Sequence, residues 1–155
     1  MCDTDQQARQ SGPPVDCQLH EAYYRQLVRL AALLTGDPDA AEDIACATLA
    51  TLPPSLAVSD DNVARILQRQ VLIRCRRTRP RQSGAPGFAR LPVVRALQEL
   101  PLHGREAVVL TLYLELTCKQ AADVSGVSEA VLQKRLGRAM QLLQDRLPRG
   151  DLPPV

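Results

Sequence analysis

No tryptophan occurs in this 155-residue chain, and aromatics make up only 3% of it, as three tyrosines and one phenylalanine. A core must therefore be built from aliphatic side chains, and few residues are present that could hold bases by stacking. No apolar run approaches the ~20 residues that cross a bilayer, so no membrane insertion is expected. The opening M-C-D-T-D-Q-Q lacks the basic end and apolar centre of a secretion signal, which makes the cytoplasm the expected location. The five cysteines (Cys2, Cys17, Cys46, Cys75, Cys118) contain no C-x-x-C pair, and their odd number and wide spread argue against a disulfide framework. A zinc site needs about four converging ligands, and only His20 and His103 could supplement those thiols. Cys46, Cys75 and Cys118 are instead expected to be small helix-packing residues. No nucleophile-and-base constellation is visible. Neither an enzyme nor a cofactor is expected.

Acid is missing from one long stretch. The formal net charge is +2, but residues 1–62 hold ten acids and three arginines, giving −7, whereas residues 63–98 hold nine arginines and no acid, giving +9. Residues 99–155 balance at seven against seven. Segregation of this kind points to two faces for two partners, one basic and one anionic.

What is present is leucine, alanine and valine at helical spacing. Residues 1–17 are polar, carry Gly12-Pro13-Pro14 and are expected to be a disordered lead. From about Gln18, the set Leu19, Tyr23, Leu27, Leu30, Ala31 and Leu34 forms one helical stripe closed by Gly36. Asp37-Pro38 opens a second helix, with Ala41, Ile44, Ala45, Thr48, Leu49 and Leu52 inward and Glu42 and Asp43 outward, until Pro53-Pro54. Ser59-Asp60-Asp61 caps a third, with Val63, Ile66, Leu67 and Val71 inward, Ile73 a further candidate, and Arg65, Arg69, Arg76 and Arg77 over the remaining surface. Residues 80–92 have the composition of a flexible linker. Short helices follow over about 93–100 and 104–114, and Tyr23, Tyr24 and Tyr113 should be core. The tail, residues 148–155, is expected to be disordered. The predicted fold is all-α: a helical domain over 18–79, the basic linker, and a four-helix domain over 93–147.

The most specific signal lies between Leu116 and Ala139. Thr117 can cap a helix, with Gln120 three residues on completing a capping box. Ala121, Ala122 and Val124 allow a close crossing, Gly126 supplies a left-handed stop, and Val127 plugs the turn. Ser128 caps a second helix running to about Leu147. This is the pattern of a helix-turn-helix, whose second helix can enter the DNA major groove. A helical hairpin in a bundle uses the same caps.

In order, these pieces resemble a bacterial sigma factor of the small, extracytoplasmic-function type. Leu100-Pro101, Arg105 and the apolar run Val108 to Leu112 resemble that family's lead into its −35 domain. Thr117, Ala122, Gly126, Val127, Ser128, Arg135, Leu136, Arg138 and Ala139 fall in register with its helix-turn-helix. Leu34 to Pro38, then Ala41-Glu42-Asp43, resemble its second helix, and Arg74 to Arg81 the basic close of its −10 domain. The resemblance implies promoter DNA, core RNA polymerase and an anti-sigma factor as partners. It places Ser128, Gln133, Lys134, Arg135 and Arg138 at the −35 element, Arg74, Arg76 and Arg77 on phosphates, and Asp39, Glu42 and Asp43 on the polymerase.

Two departures keep a second reading open. Cys46, Ala47 and Leu49 stand where the family has glutamine, glutamate and an aromatic, and no aromatic occurs from Asp60 to Arg77. Unstacked bases are held on aromatic faces at ~1–3 kcal/mol each, so opening a promoter without them is harder. The alternatives are a sigma factor that directs initiation and a sigma-like regulator that binds DNA, polymerase or an anti-sigma partner without melting promoters.

Overall fold

The computed structural model describes residues 15–52, 61–78 and 91–147, and every regular element among them is a helix. The expected stop at Pro53-Pro54, the Ser59-Asp60 cap, residues 1–14, most of the linker and the tail lie outside the described residues. Helix α1 spans Val15–Thr35, opening three residues before its expected start, and α2 spans Pro38–Leu49. Between them Gly36 takes φ 72°, and Asp37 caps α2 by accepting from the N–H groups of Asp39 (3.0 Å) and Ala40 (3.3 Å). Pro38 in the first turn loses no helical hydrogen bond, since that N–H would have no partner within the helix.

Helix α3, Asp61–Arg77, packs on both α1 and α2. Leu27, Leu30 and Leu34 meet Ala41, Ala45, Val63, Leu67 and Val71 in a close-packed aliphatic interior. Two expectations here need correction. Ile66 is 52% exposed, because the inward stripe runs through Val63, Leu67 and Val71 at four-residue steps and Ile66 falls about 100° away from Leu67. Cys46 is exposed, whereas Cys75 is buried and Cys118 half-buried. Burial pushes the Cys75 thiol up to about 12, with the Glu106 carboxylate adding to it.

The second half begins with α4, Pro92–Gln98, and α5, Leu102–Val108. Helix α5 continues into a π-helical turn, Val109–Tyr113, in which the Leu114 N–H bonds to the Val109 carbonyl at 3.1 Å. That wider turn rotates the last residues away from the core face, which is why Tyr113 is 41% exposed rather than buried. Tyr23 and Tyr24 do pack against the core. Helices α6, Cys118–Ser125, and α7, Glu129–Arg146, complete the fold, with α7 laid on α5 and α6. One hydrophobic cluster runs through both halves, from Leu27 to Leu143.

Candidate nucleic-acid interface

The two helices of the predicted elbow form as their caps dictate. Thr117 Oγ1 accepts from the Gln120 N–H at 3.2 Å, and Gln120 Oε1 accepts from the Thr117 N–H at 3.0 Å. Gly126 ends α6 at φ 73°, ψ 33°, and the N–H groups of Gly126 and Val127 both reach the Ala122 carbonyl, at 2.9 and 3.1 Å. Ser128 Oγ accepts from the Val131 N–H at 3.4 Å and opens α7. Ala121, Ala122, Val124 and Ser125 bury one face of α6, while Leu132, Ala139 and Leu143 bury one face of α7.

The opposite face of α7 is open. Gln133, Lys134 and Arg138 are exposed, and Arg135 is half-buried. Lys134 and Arg138 have no hydrogen-bond or ion-pair partner among the described residues, whereas Gln133 donates to Glu129 at 3.4 Å. Arg135 and Arg138 line a cleft of about 170 Å³ with Pro101, His103 and Leu142. Ser128 is exposed, but its hydroxyl is engaged in the cap.

The three arginines at the end of α3 do not share one surface. Arg74 is half-buried, with its Nε buried and unpartnered, and it lines a cleft of about 370 Å³ with Arg77, Asp43, Ala47 and Ile73. Arg76 turns toward the second half: its Nε donates to Glu106 Oε1 at 2.7 Å and its Nη2 to Glu106 Oε2 at 2.8 Å. The same Nη2 donates to the Ser125 carbonyl at 3.0 Å. Hydrogen bonding to Glu106 raises the Arg76 pKa above its ordinary value. Of the three arginines expected on phosphates, Arg76 thus faces the second half, whereas Arg74 and Arg77 line the cleft beside α2. Asp39, Glu42 and Asp43 stand exposed on α2.

Two groups that govern this arrangement were not read from sequence. Glu106 is 1% exposed and, besides Arg76, has His103 Nδ1 at 3.5 Å. Its signal was available, since an acid preceding the buried run Ala107 to Leu110 must find a cation. Arg105, noted only as part of a motif, anchors the junction. Its Nε donates to the Leu97 carbonyl (2.8 Å), and its terminal nitrogens donate to the carbonyls of Gln98 (2.8 Å), Leu100 (3.1 Å) and Leu34. Desolvation lowers the Arg105 pKa, and the neighbouring Glu106 opposes that shift. No group of three or more metal-ligating side chains converges among the described residues. No helix among them is long and apolar enough to cross a membrane.

A short, doubly capped helix, a left-handed glycine and a longer helix with an open cationic face define a helix-turn-helix protein. Residues 90–143 match the family described as sigma-70, region 4. The sigma factor RpoE from Bartonella quintana, solved in complex with the anti-sigma factor NepR, superposes with a TM-score of 0.62 at 20% identity. That match covers 88% of this chain and 98% of the RpoE chain. No curated protein sequence matches the chain. Residues 90–143 are thus similar to sigma-70 region 4, and the chain as a whole shares the fold of the RpoE chain.

Proposed function

We propose that the chain is a sigma factor acting in the cytoplasm, without catalysis of its own, to bring core RNA polymerase to promoter DNA. The observation that carries this reading is the outer face of α7, where Lys134 and Arg138 stand exposed with no partner among the described residues, in the stretch that matches region 4. Cations left free on a recognition helix fit the phosphates beside a major groove, and Gln133 fits an adenine edge or a neighbouring phosphate. Arg135, half-buried, suits packing or a phosphate rather than a base. Asp39, Glu42 and Asp43 are the surface offered to basic residues of the polymerase. In this reading residues 18–79 and 93–147 are the two domains and residues 80–92 the linker. An anti-sigma partner is part of the proposal, because RpoE is held by one.

One observation favours the alternative of a sigma-like regulator. The stretch from Asp60 to Arg77 has no aromatic side chain, and Ile66 is its exposed large apolar residue. Such a protein would bind DNA, polymerase or an anti-sigma factor without opening the duplex.

The test of duplex binding is Lys134→Ala with Arg138→Ala. The pair should abolish binding to duplexes selected by the unaltered chain, with the helical circular dichroism unchanged. Undiminished affinity at fixed salt would remove α7 from the interface.

A further inference from the structure

We propose that Val131 is a specificity-determining residue of α7, reading the C5-methyl group of a thymine in the major groove beside the phosphates that Lys134 and Arg138 engage. The inference rests on the reading of α7 as the DNA-facing helix and adds to it the kind of base that the helix selects.

Folding gives no reason for a valine at this place. The neighbouring Leu132 turns inward and is 1% exposed, whereas Val131 is 42% exposed and stands outside the hydrophobic cluster of the described residues. Valine is a poorer helix former than alanine, leucine, lysine or glutamine. The first turn of a helix favours an acid, which Glu129 already supplies. At about 100° per residue, Val131, Lys134 and Arg138 fall within about 60° of one another around α7, at steps of roughly one and two turns. One outward stripe therefore carries an apolar group at its N-terminal end, followed by two cations that have no partner among the described residues.

Position along the helix gives the stripe its direction on DNA. Recognition helices bring their N-terminal residues to the base edges. Val131 is the third residue of α7, and its N–H is held by the Ser128 hydroxyl at 3.4 Å. Lys134 and Arg138, further along, suit the backbone and set the register. A β-branched side chain in a helix keeps essentially one rotamer, so Val131 presents its methyl groups in a fixed direction. Base pairs offer hydrogen-bond donors and acceptors in the major groove, and the thymine methyl is the apolar group among them. Valine against a donor or acceptor strips its water without replacing the bond, whereas valine against that methyl buries two apolar surfaces together.

The test removes the methyl group from the DNA and the valine from the protein. The full chain selects a duplex from a random pool, and each thymine in it is replaced in turn by deoxyuridine, which lacks the C5-methyl. Affinity is followed against salt for the wild type, for Val131→Ala, and for Lys134→Ala with Arg138→Ala. At one thymine, deoxyuridine should weaken wild-type binding about fourfold, the worth of one buried methyl group. Val131→Ala should bind the thymine and deoxyuridine duplexes nearly alike. Its salt slope and helical circular dichroism should equal those of the wild type, because no phosphate contact and no buried side chain is lost.

Wild-type binding that no thymine replacement weakens would overturn the assignment, and so would a discrimination that persists in Val131→Ala. So would a salt slope that falls by about 0.9 in Val131→Ala, the mark of a lost phosphate contact rather than a lost methyl contact. In each of these cases the loss of binding in the Lys134 and Arg138 double variant would leave α7 on the duplex. A wild type that selects no duplex, or binding that ignores that double variant, would instead remove α7 from the interface and the proposal with it.

Discussion

Gly36 and Gly126 share a positive φ and differ in surroundings, which allows the junction between the halves to be probed by substitution. Gly36 has φ +72° and Gly126 has φ +73°. A Cβ at Gly126 would come no closer to a non-neighbouring atom than 3.8 Å from Arg69 Nη2, so Gly126→Ala meets only the left-handed backbone penalty. That penalty is about 1–2 kcal/mol. A Cβ at Gly36 would lie 2.7 Å from both Cδ and Oε1 of Gln98. Gln98 is flexible enough to move, but moving breaks its 2.8 Å hydrogen bond to the Leu33 carbonyl, worth about 1 kcal/mol. Gly36→Ala should therefore destabilise the chain by about 2–3 kcal/mol in urea unfolding, the sum of the backbone and hydrogen-bond terms. In a Gln98→Ala background the same substitution should fall back to about 1–2 kcal/mol, matching Gly126→Ala. Equal costs for the two glycines in the unaltered chain would mean that Gln98 does not sit over the end of α1.

Reversing the acidic face, Glu42→Lys with Asp43→Lys, should weaken capture of core polymerase in a pull-down; capture that ignores the reversal would clear this surface of docking. Alkylation of the folded chain at pH 8 followed by mass spectrometry should label Cys46 well before Cys75, whose thiol stays neutral until about 12. The raised Cys75 pKa also sets a sign for stability. Above the ordinary thiol value of 9.0 the unfolded chain releases this proton while the folded chain keeps it, so stability should decline as pH rises from 9.0 toward about 12. Removing that thiol, as Cys75→Ala, should flatten this alkaline decline in urea unfolding.

The parts of the fold that were legible in sequence are those set by neighbours along the chain. Asp37-Pro38, the Thr117–Gln120 box and Gly126 act within four residues, so residue type alone nearly determines the geometry. The outward face of α7 follows from the same local periodicity, with Leu132, Ala139 and Leu143 defining the buried side. Periodicity was less reliable at its margins. Ile66 lies beside a stripe narrower than its apolar neighbours suggested, and Tyr113 turns outward because the helix widens to a π turn that leaves no periodic trace. The Arg76–Glu106 pair was not legible, because its members stand 30 positions apart. Only the fold brings them together, and an arginine among nine in an acid-free block gives no sign of which acid it will meet.

Run-off transcription tests the central claim most directly. Purified core RNA polymerase is given genomic fragments with and without the chain. The account predicts transcripts with discrete starts that appear only when the chain is added and disappear with Lys134→Ala and Arg138→Ala. Silence from polymerase and chain together, on fragments the chain demonstrably binds, would contradict it and leave a regulator that recognises DNA without initiating.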